Sequence, residues 1–392
     1  MNIAVFKNFF RSGATSGVIL IFCVAVSLVI ANSAWGEQYD HLLSYKIGFE
    51  GAGLKYSVLL WINDGLMAIF FLMIGLEIKR ELVEGELSSV KKAALPVFAA
   101  FGGAIVPAVI FHFFNNGQET ESGWGIPMAT DIAFALGILA LLGKRVPATL
   151  KIFLAALAIA DDLIAILVIA VFYSASLDIT NLLYAGSIFL LLIVFNRLNV
   201  KSLWLYIIPG LFIWYFIHHS GVHATIAGVI TAFALPTTPG REESPLEKLE
   251  HILHKPVNFF IMPLFALANT NIHFASAEGE LIKGSLGMGI IVGLLIGKPV
   301  GIMLTSWLTV KMKGGALPSG TGWKHIFGVG LLGGIGFTMS IFIALLSFSS
   351  PVFQSASKVA ILIASATAGT LGFLFLLVFG KKEITASSQS PG

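Results

Sequence analysis

Twelve apolar segments, separated by short polar or basic stretches, follow one another along this chain. Most are close to the roughly 20 residues that a helix needs to cross the hydrocarbon core of a bilayer. The predicted spans are 12–31, 58–82, 93–114, 121–142, 149–174, 181–197, 203–217, 222–235, 254–272, 286–310, 325–348 and 356–379. The pattern therefore predicts an all-α polytopic membrane protein with one transmembrane domain over 1–392, ending in a disordered Ser-rich tail at 383–392.

Composition agrees with this pattern. The chain is 56% hydrophobic and only 11% charged, with a mean hydropathy of +0.89. Soluble domains usually carry about 25% charged residues. The net charge of +3 does not call for a nucleic-acid partner, because the basic residues are spread between the apolar segments. The single cysteine, Cys23, lies in an apolar run, so we expect neither a disulfide nor a cysteine-based metal site, and no cofactor.

The distribution of Lys and Arg predicts the orientation. An even number of spans puts both termini on one side of the membrane. If that side is the cytoplasm, the inner segments hold 19 of the 24 basic residues. Only Lys46, Lys55, Lys283 and Lys358 then lie outside, and Lys298 falls within the membrane. Cytoplasmic loops of membrane proteins carry such an excess, so we predict that both termini are cytoplasmic.

Two predicted spans carry signals of a broken helix. The fourth contains Pro127 followed by Thr130 and Asp131, a pair typical of a helix N-terminus. The eleventh is rich in glycine, which weakens helices. Its glycines are Gly330, Gly333, Gly334 and Gly336. Each break lies in the middle of a three-span group, 93–174 or 286–379, a pattern that points to an inverted-repeat transporter.

The segment after the first span is longer than its neighbours. Residues 46–49 and 54–58 flank the turn sequence Glu50–Gly53. This arrangement is typical of a β-hairpin, here on the outer face. An irregular connector remains an equal alternative.

Four ionisable residues interrupt otherwise apolar segments: Asp131, Asp161, Asp162 and Lys298. A charge at mid-membrane costs about 2.5–3.5 kcal/mol on insertion scales, so such residues usually serve a function. Neighbours on a helix point about 100° apart, so Asp161 and Asp162 cannot share one face. We expect one to line a water-filled funnel and the other to contact a neighbouring helix.

These residue types favour a site for Na⁺ and protons. A hard cation prefers oxygen ligands, which carboxylates and the Thr130 hydroxyl supply. Cation and protons competing for the same acids would produce exchange. Asp131 can neutralise helix N-termini at the break, with or without a role in substrate binding, and Lys298 can do the converse for helix C-termini. Lys298 either pairs structurally with Asp161 or exchanges a proton, and both interpretations stay open.

A second ionisable group is predicted at the inner ends of the second and ninth spans. Its members are Glu77, Arg80, Glu81, Glu250, His251 and His254. Histidines titrate near neutrality, so this group is a candidate pH sensor. Solvated interfacial charges that set orientation are the alternative.

The motifs at these positions resemble those of the bacterial NhaA family of sodium–proton antiporters, over nearly the whole chain. They are Pro127–Phe134, Ala158–Leu163, Gly297–Pro299 and Gly334–Ser340, together with Gly221–Thr225 and Leu249–His251. None of these positions departs from the family pattern.

The resemblance implies a twelve-span inner-membrane protein whose broken fourth and eleventh spans cross. It implies electrogenic exchange of Na⁺ or Li⁺ for a larger number of protons, activated at alkaline pH. Asp162 would be the chief carboxylate for cation and proton, assisted by Asp161, which alternately pairs with Lys298, while Asp131 and Thr130 would lie at the crossing. Glu77, Glu81, Glu250, His251 and His254 would form the pH-response cluster. The hairpin at 46–58 would join two protomers in a homodimer.

Two other functions fit the composition. A sodium-coupled carrier of organic anions would need further cationic groups at mid-membrane, and Lys298 is the only base there. An intramembrane aspartyl protease would place its acids on separate helices in Tyr-Asp and Gly-x-Gly-Asp motifs. Here Asp161 and Asp162 are adjacent and neither lies in such a motif, so antiport is the favoured interpretation.

Overall fold

The fold is almost entirely helical. A computed structural model describes residues 3–174, 177–237, 244–273 and 278–380, so the predicted disordered tail at 383–392 lies outside the described residues. Within these residues, eighteen α-helices follow in order: α1 Ile3–Ala31, α2 Gly36–Ser44, α3 Val58–Leu60, α4 Met67–Val83, α5 Val90–Asn115, α6 Ile132–Leu141, α7 Ala148–Phe172, α8 Ile179–Arg197, α9 Trp204–His218, α10 Ile226–Ala234, α11 Pro245–Pro256, α12 Met262–Asn269, α13 Glu278–Lys283, α14 Ser285–Val292, α15 Lys298–Lys311, α16 Trp323–Gly333, α17 Phe337–Ser347 and α18 Pro351–Phe379.

Seven helical segments of the described chain are long and apolar enough to cross a membrane. They are Val58–Val83, Val90–Asn115, Glu121–Leu141, Ala148–Phe172, Ile179–Arg197, Ser285–Lys311 and Pro351–Phe379, and two bent pairs raise the number to at most nine. Helices also occupy the remaining predicted segments, but α9 has 15 residues and α10 only 9. The helical, membrane-embedded class is confirmed, whereas the count of twelve spans stays a prediction.

The two predicted helix breaks are present. Before α6 the chain forms a 3₁₀ turn, Glu121–Met128, and then leaves helical geometry until Ile132. Pro127 explains this change, because its ring removes a backbone donor. Helices α16 and α17 are bent by 46° at the glycine-rich break between them.

In the described part of the chain, three π-helical turns interrupt other helices: Trp61–Leu66, Val257–Ile261 and Gly293–Gly297. The last of these joins α14 to α15 directly before Lys298. Pro299 lacks an N–H, so it cannot complete the regular bonding of the preceding turn. Such π-bulges are frequent at functional sites, and this one lies beside the buried lysine.

Close backbone contact fixes α5 against α15. A Cβ at Gly301 would lie 2.1 Å from the carbonyl oxygen of Gly102, and a Cβ at Gly102 would lie 2.4 Å from that of Gly301. Small residues permit this approach, which is the usual way in which membrane helices pack. The contact lies one turn after Lys298 and holds that lysine within the bundle.

The predicted hairpin is confirmed as a two-stranded antiparallel sheet. β1 (Lys46–Phe49) pairs with β2 (Leu54–Ser57) in the register Lys46 to Ser57 and Phe49 to Leu54. The second strand ends one residue earlier than expected, because the Ser57 side chain caps the helix that begins at Val58.

Candidate ion-binding site

The two helix breaks meet in the middle of the molecule. The Asp131 backbone N–H donates to the carbonyl of Ile335 at 2.7 Å, and the Thr130 hydroxyl donates to the carbonyl of Gly333 at 2.9 Å. Each break therefore supplies partners for the other. A buried carbonyl without a partner would cost a few kcal/mol, so these bonds stabilise the crossing.

Asp131 connects the N-termini of two helices. One carboxylate oxygen accepts from the N–H of Phe134 at 3.0 Å and so caps α6. The other accepts from the backbone N–H of Thr338 at 3.2 Å and from its hydroxyl at 2.5 Å, near the start of α17. A negative charge is favourable at a helix N-terminus, and here it serves two. Asp131 therefore lies where the predicted charge compensation would act, and that role stays a prediction.

Lys298 places its ammonium group at the C-terminal end of a helical segment, whereas Asp131 lies at two helix N-termini. Its side chain is fully buried, and Nζ lies 2.7 Å from Oδ2 of Asp161. Nζ also donates to the carbonyl of Met128, the last residue of the 3₁₀ turn before the break. The cation therefore stands at the negative end of that turn and pairs with an acid, which leaves both predicted roles open.

Asp162 faces a different environment from its neighbour. It is 2% exposed and lines a cavity of about 50 Å³ together with Asp131, Thr338, Glu77 and His254. Its Oδ1 atom is buried without a hydrogen-bond partner, as is Oδ1 of Asp161. The two adjacent acids thus separate as the helical geometry requires: Asp161 contacts α15, and Asp162 faces the cavity. An unpartnered carboxylate oxygen in a small cavity is suited to a proton or a cation.

The glycines of the second break lie where there is little room for a side chain. A Cβ at Gly334 would lie 2.5 Å from the carbonyl oxygen of Leu294, and one at Gly336 would lie 2.1 Å from Oγ of Ser340. At Gly333 the nearest atom would be Cδ1 of Ile302 at 3.0 Å. A Cβ is therefore excluded most clearly at Gly334, where the nearest atom belongs to the backbone, whereas at Gly333 and Gly336 a side chain would have to shift.

Three hydroxyl side chains of the crossing were given no role from the sequence. Thr338 binds Asp131, Ser340 donates to the carbonyl of Ile126 at 2.7 Å, and Ser365 accepts from the N–H of Phe337 at 3.1 Å. Thr338 and Ser340 follow the glycine run, much as Thr130 lies beside the other break. A hydroxyl residue beside a helix break was therefore the sequence signal that could have identified Thr338 and Ser340. Ser365, on α18, offers no comparable one.

We expect Thr338→Val to destabilise the protein by about 1–3 kcal/mol, because it removes a bond to the buried Asp131 carboxylate. Thermal unfolding of the detergent-purified variant measures the effect. Thr370→Val is the matched control, since Thr370 is exposed and its hydroxyl donates to the carbonyl of Ala366 in its own helix. Equal melting temperatures for the two variants would contradict the role given to Thr338.

The predicted pH-response residues are close to one another and to the cavity. Arg80 Nε lies 2.9 Å from Glu250 Oε2, and its Nη1 lies 3.2 Å from Glu81 Oε1. Burial raises the pKa of Glu250, and the neighbouring Arg80 opposes that shift. Because Glu77 and His254 line the same cavity as Asp162, this group is connected to the carboxylate by a common space.

Comparisons with known proteins show the family of this chain. A family model described as Na+/H+ antiporter 1 matches residues 7–376. The chain is 61% identical to "Na(+)/H(+) antiporter NhaA 2" of Flavobacterium johnsoniae, over 98% of this chain and 95% of that protein. It is 54% identical to "Na(+)/H(+) antiporter NhaA" of Flavobacterium psychrophilum, with 97% of both chains covered. It is 52% identical to the protein of that name from Dechloromonas aromatica, over 96% of this chain and 97% of that protein.

Proposed function

This chain belongs to the Na+/H+ antiporter 1 family, and we propose that it is an electrogenic antiporter that expels Na⁺ or Li⁺ from the cytoplasm in exchange for protons. Its relatives are named as antiporters, which are secondary transporters and not enzymes. The aspartyl protease alternative is thereby removed. The protein would lie in the bacterial inner membrane with both termini in the cytoplasm, as the distribution of basic residues predicts.

The observation that carries the proposal is the Asp162 carboxylate, buried in a cavity with one oxygen unpartnered. When ionised, it would bind a cation; when protonated, it would release the cation. Asp131, Thr130 and Thr338 would keep the crossing neutral while the site changes its access from one side to the other. Because the cation and the proton compete for one carboxylate, the movement of one is coupled to the movement of the other.

Electrogenic exchange needs a second proton for each monovalent cation. The Asp161–Lys298 pair is the candidate carrier of this second proton, because Nζ of Lys298 lies 2.7 Å from Oδ2 of Asp161, the residue next to Asp162. Cation binding at Asp162 would draw Asp161 toward the ion and free Lys298 to lose its proton. The simpler alternative, a permanent structural pair, differs in its expected charge transfer and is tested in the Discussion.

Competition predicts that protons leave the purified protein when Na⁺ is added. The release is expected to be largest at intermediate pH, where Asp162 still holds a proton that Na⁺ can displace, and to vanish at high pH, where it is already ionised. Weakly buffered protein in detergent, a pH indicator and additions of NaCl at several pH values measure it, with choline chloride as the control salt. Absence of release at every pH would contradict the mechanism. A response to organic anions in place of Na⁺ would instead favour the carrier alternative.

We also propose that the cluster of Glu77, Arg80, Glu81, Glu250, His251 and His254 sets alkaline activation. A carboxyl whose pKa is raised in the folded protein holds its proton more tightly there than in the unfolded chain. Its contribution to stability is therefore lost as pH rises through the raised pKa. For Glu250, which faces Arg80, Glu81 and His251, loss of the proton on raising the pH would add a poorly solvated negative charge to the cluster and loosen the closed arrangement.

Glu250→Gln should shift the activity profile toward alkaline pH, by up to about one unit, since each unit corresponds to about 1.4 kcal/mol. Glutamine cannot acquire the charge whose burial would loosen the cluster. Antiport activity against pH in inverted vesicles is the measurement. Glu280→Gln, at an exposed position of α13, is the control. If both variants keep the native pH profile, the cluster has no part in pH sensing and the alternative of interfacial charges that set orientation is favoured.

The hairpin is the proposed contact between two protomers of a homodimer. Its first strand exposes apolar side chains, with Phe49 79% and Ile47 44% exposed. An exposed strand edge can pair with another chain. Deleting residues 46–57 is expected to halve the molecular mass measured in detergent by light scattering. A native mass in that variant would count against this contact.

A further inference from the structure

A second cavity, separate from that of Asp162, lies where α5 and α7 begin. Its volume is about 320 Å³. Lys91 and Lys92 lie at its edge, and its apolar lining includes Leu95, Ile152 and Phe153. None of these residues belongs to the proposed transport site, and the cavity has no part in the antiport mechanism.

The basic edge of the cavity carries more positive than negative charge. Lys91 and Lys92 are exposed, lie in the first turn of α5, and that turn contains no acidic residue. A helix N-terminus carries a partial positive charge, so it repels two lysines in the first turn. Within the described part of the chain, neither ammonium group forms an ion pair or hydrogen bond, and Glu86 is the one carboxylate lining the cavity. The local charge is therefore positive.

The apolar part lies deeper along the same helices. Leu95 is one turn into α5 from Lys91, and Ile152 and Phe153 are in the first turns of α7. α5 has 26 residues and is apolar enough to span a bilayer, so its first turn is expected at the membrane–water interface. The cavity thus has a positive end at the headgroup level and an apolar end toward the acyl chains.

We propose that this cavity binds an anionic glycerophospholipid, with its phosphate on Lys91 and Lys92 and an acyl chain against Leu95, Ile152 and Phe153. Basic pockets between membrane helices bind such headgroups by charge. A soluble anion would use the lysines but gain nothing from the apolar wall. A zwitterionic lipid would gain from the wall but bring no net negative charge.

Native mass spectrometry of the detergent-purified protein tests the proposal. Phosphatidylglycerol and phosphatidylcholine with identical acyl chains are titrated separately, and bound lipid is counted. We expect Lys91→Gln/Lys92→Gln to weaken phosphatidylglycerol binding about thirty-fold, because each basic group near a bilayer contributes about 1 kcal/mol. Lys144→Gln/Lys313→Gln, which removes two exposed lysines outside the cavity, should retain native binding.

Four results would overturn the assignment. These are unchanged binding in the Lys91/Lys92 variant, an equal loss in the control variant, equal affinity of the native protein for phosphatidylcholine, and displacement of the lipid by millimolar inorganic phosphate. The last result would mark a site for a free anion. Because the assay measures lipid binding and not transport, its outcome is independent of the proposed antiport.

Discussion

Asp162→Asn is expected to abolish Na⁺-driven proton movement, with a loss of at least a hundredfold. The variant keeps the size of the side chain but cannot release a proton or offer a negative charge to a cation. Asp162 has an unpartnered oxygen and makes no ion pair, so the substitution does not leave a buried cation without its partner. Its effect should therefore fall on transport and not on folding.

Inverted vesicles with an imposed proton gradient and a pH-sensitive dye measure this loss. Asp178→Asn is the matched control, because Asp178 caps α8 and lies outside the cavity, and asparagine can also cap. The melting temperatures of both variants should remain close to that of the native protein. Near-normal exchange by Asp162→Asn would refute the assignment.

Lys298→Gln should destabilise the protein by about 3–5 kcal/mol, because it leaves the buried Asp161 carboxylate without its cation. The carbonyl of Met128 would also lose its charged donor. Asp161→Asn/Lys298→Gln removes both charges, so most of the stability should return. The melting temperatures of the single and double variants measure this difference. If the single variant melts like the native protein, the pair contributes nothing to the fold.

Transport by the double variant separates the two roles of the pair. If the pair is only structural, the exchange should stay electrogenic. If Lys298 carries a proton, the exchange should become electroneutral, because one of the transported protons is lost. Membrane potential recorded during Na⁺ transport in proteoliposomes distinguishes these outcomes. Lys311→Gln serves as a control, because it removes a lysine from the same helix at a position away from the Asp161–Lys298 pair. Lys311 lies over the Trp307 ring at the end of α15.

Much of the architecture could be predicted from local sequence alone. Apolar length predicts membrane helices because the bilayer has a fixed thickness, and Pro127 and the glycine run predict breaks because those residues disturb helical bonding. The hairpin also followed from local sequence, although an irregular connector was equally acceptable. The number of spans was the weakest point, because α9 and α10 are short and hydropathy alone does not separate them clearly from other buried helices.

The sequence by itself determined which ionisable residues this protein places in apolar segments, since burying a charge is costly wherever the chain folds. It also determined that Asp161 and Asp162 must face different ways, because that depends only on helical geometry. The tertiary structure alone decided that Lys298 meets Asp161 and Met128, and that Thr338 joins Thr130 and Asp131 at the crossing. These contacts span 137 to 207 residues of chain, and such distant partners are chosen by packing of whole helices, which no local pattern encodes.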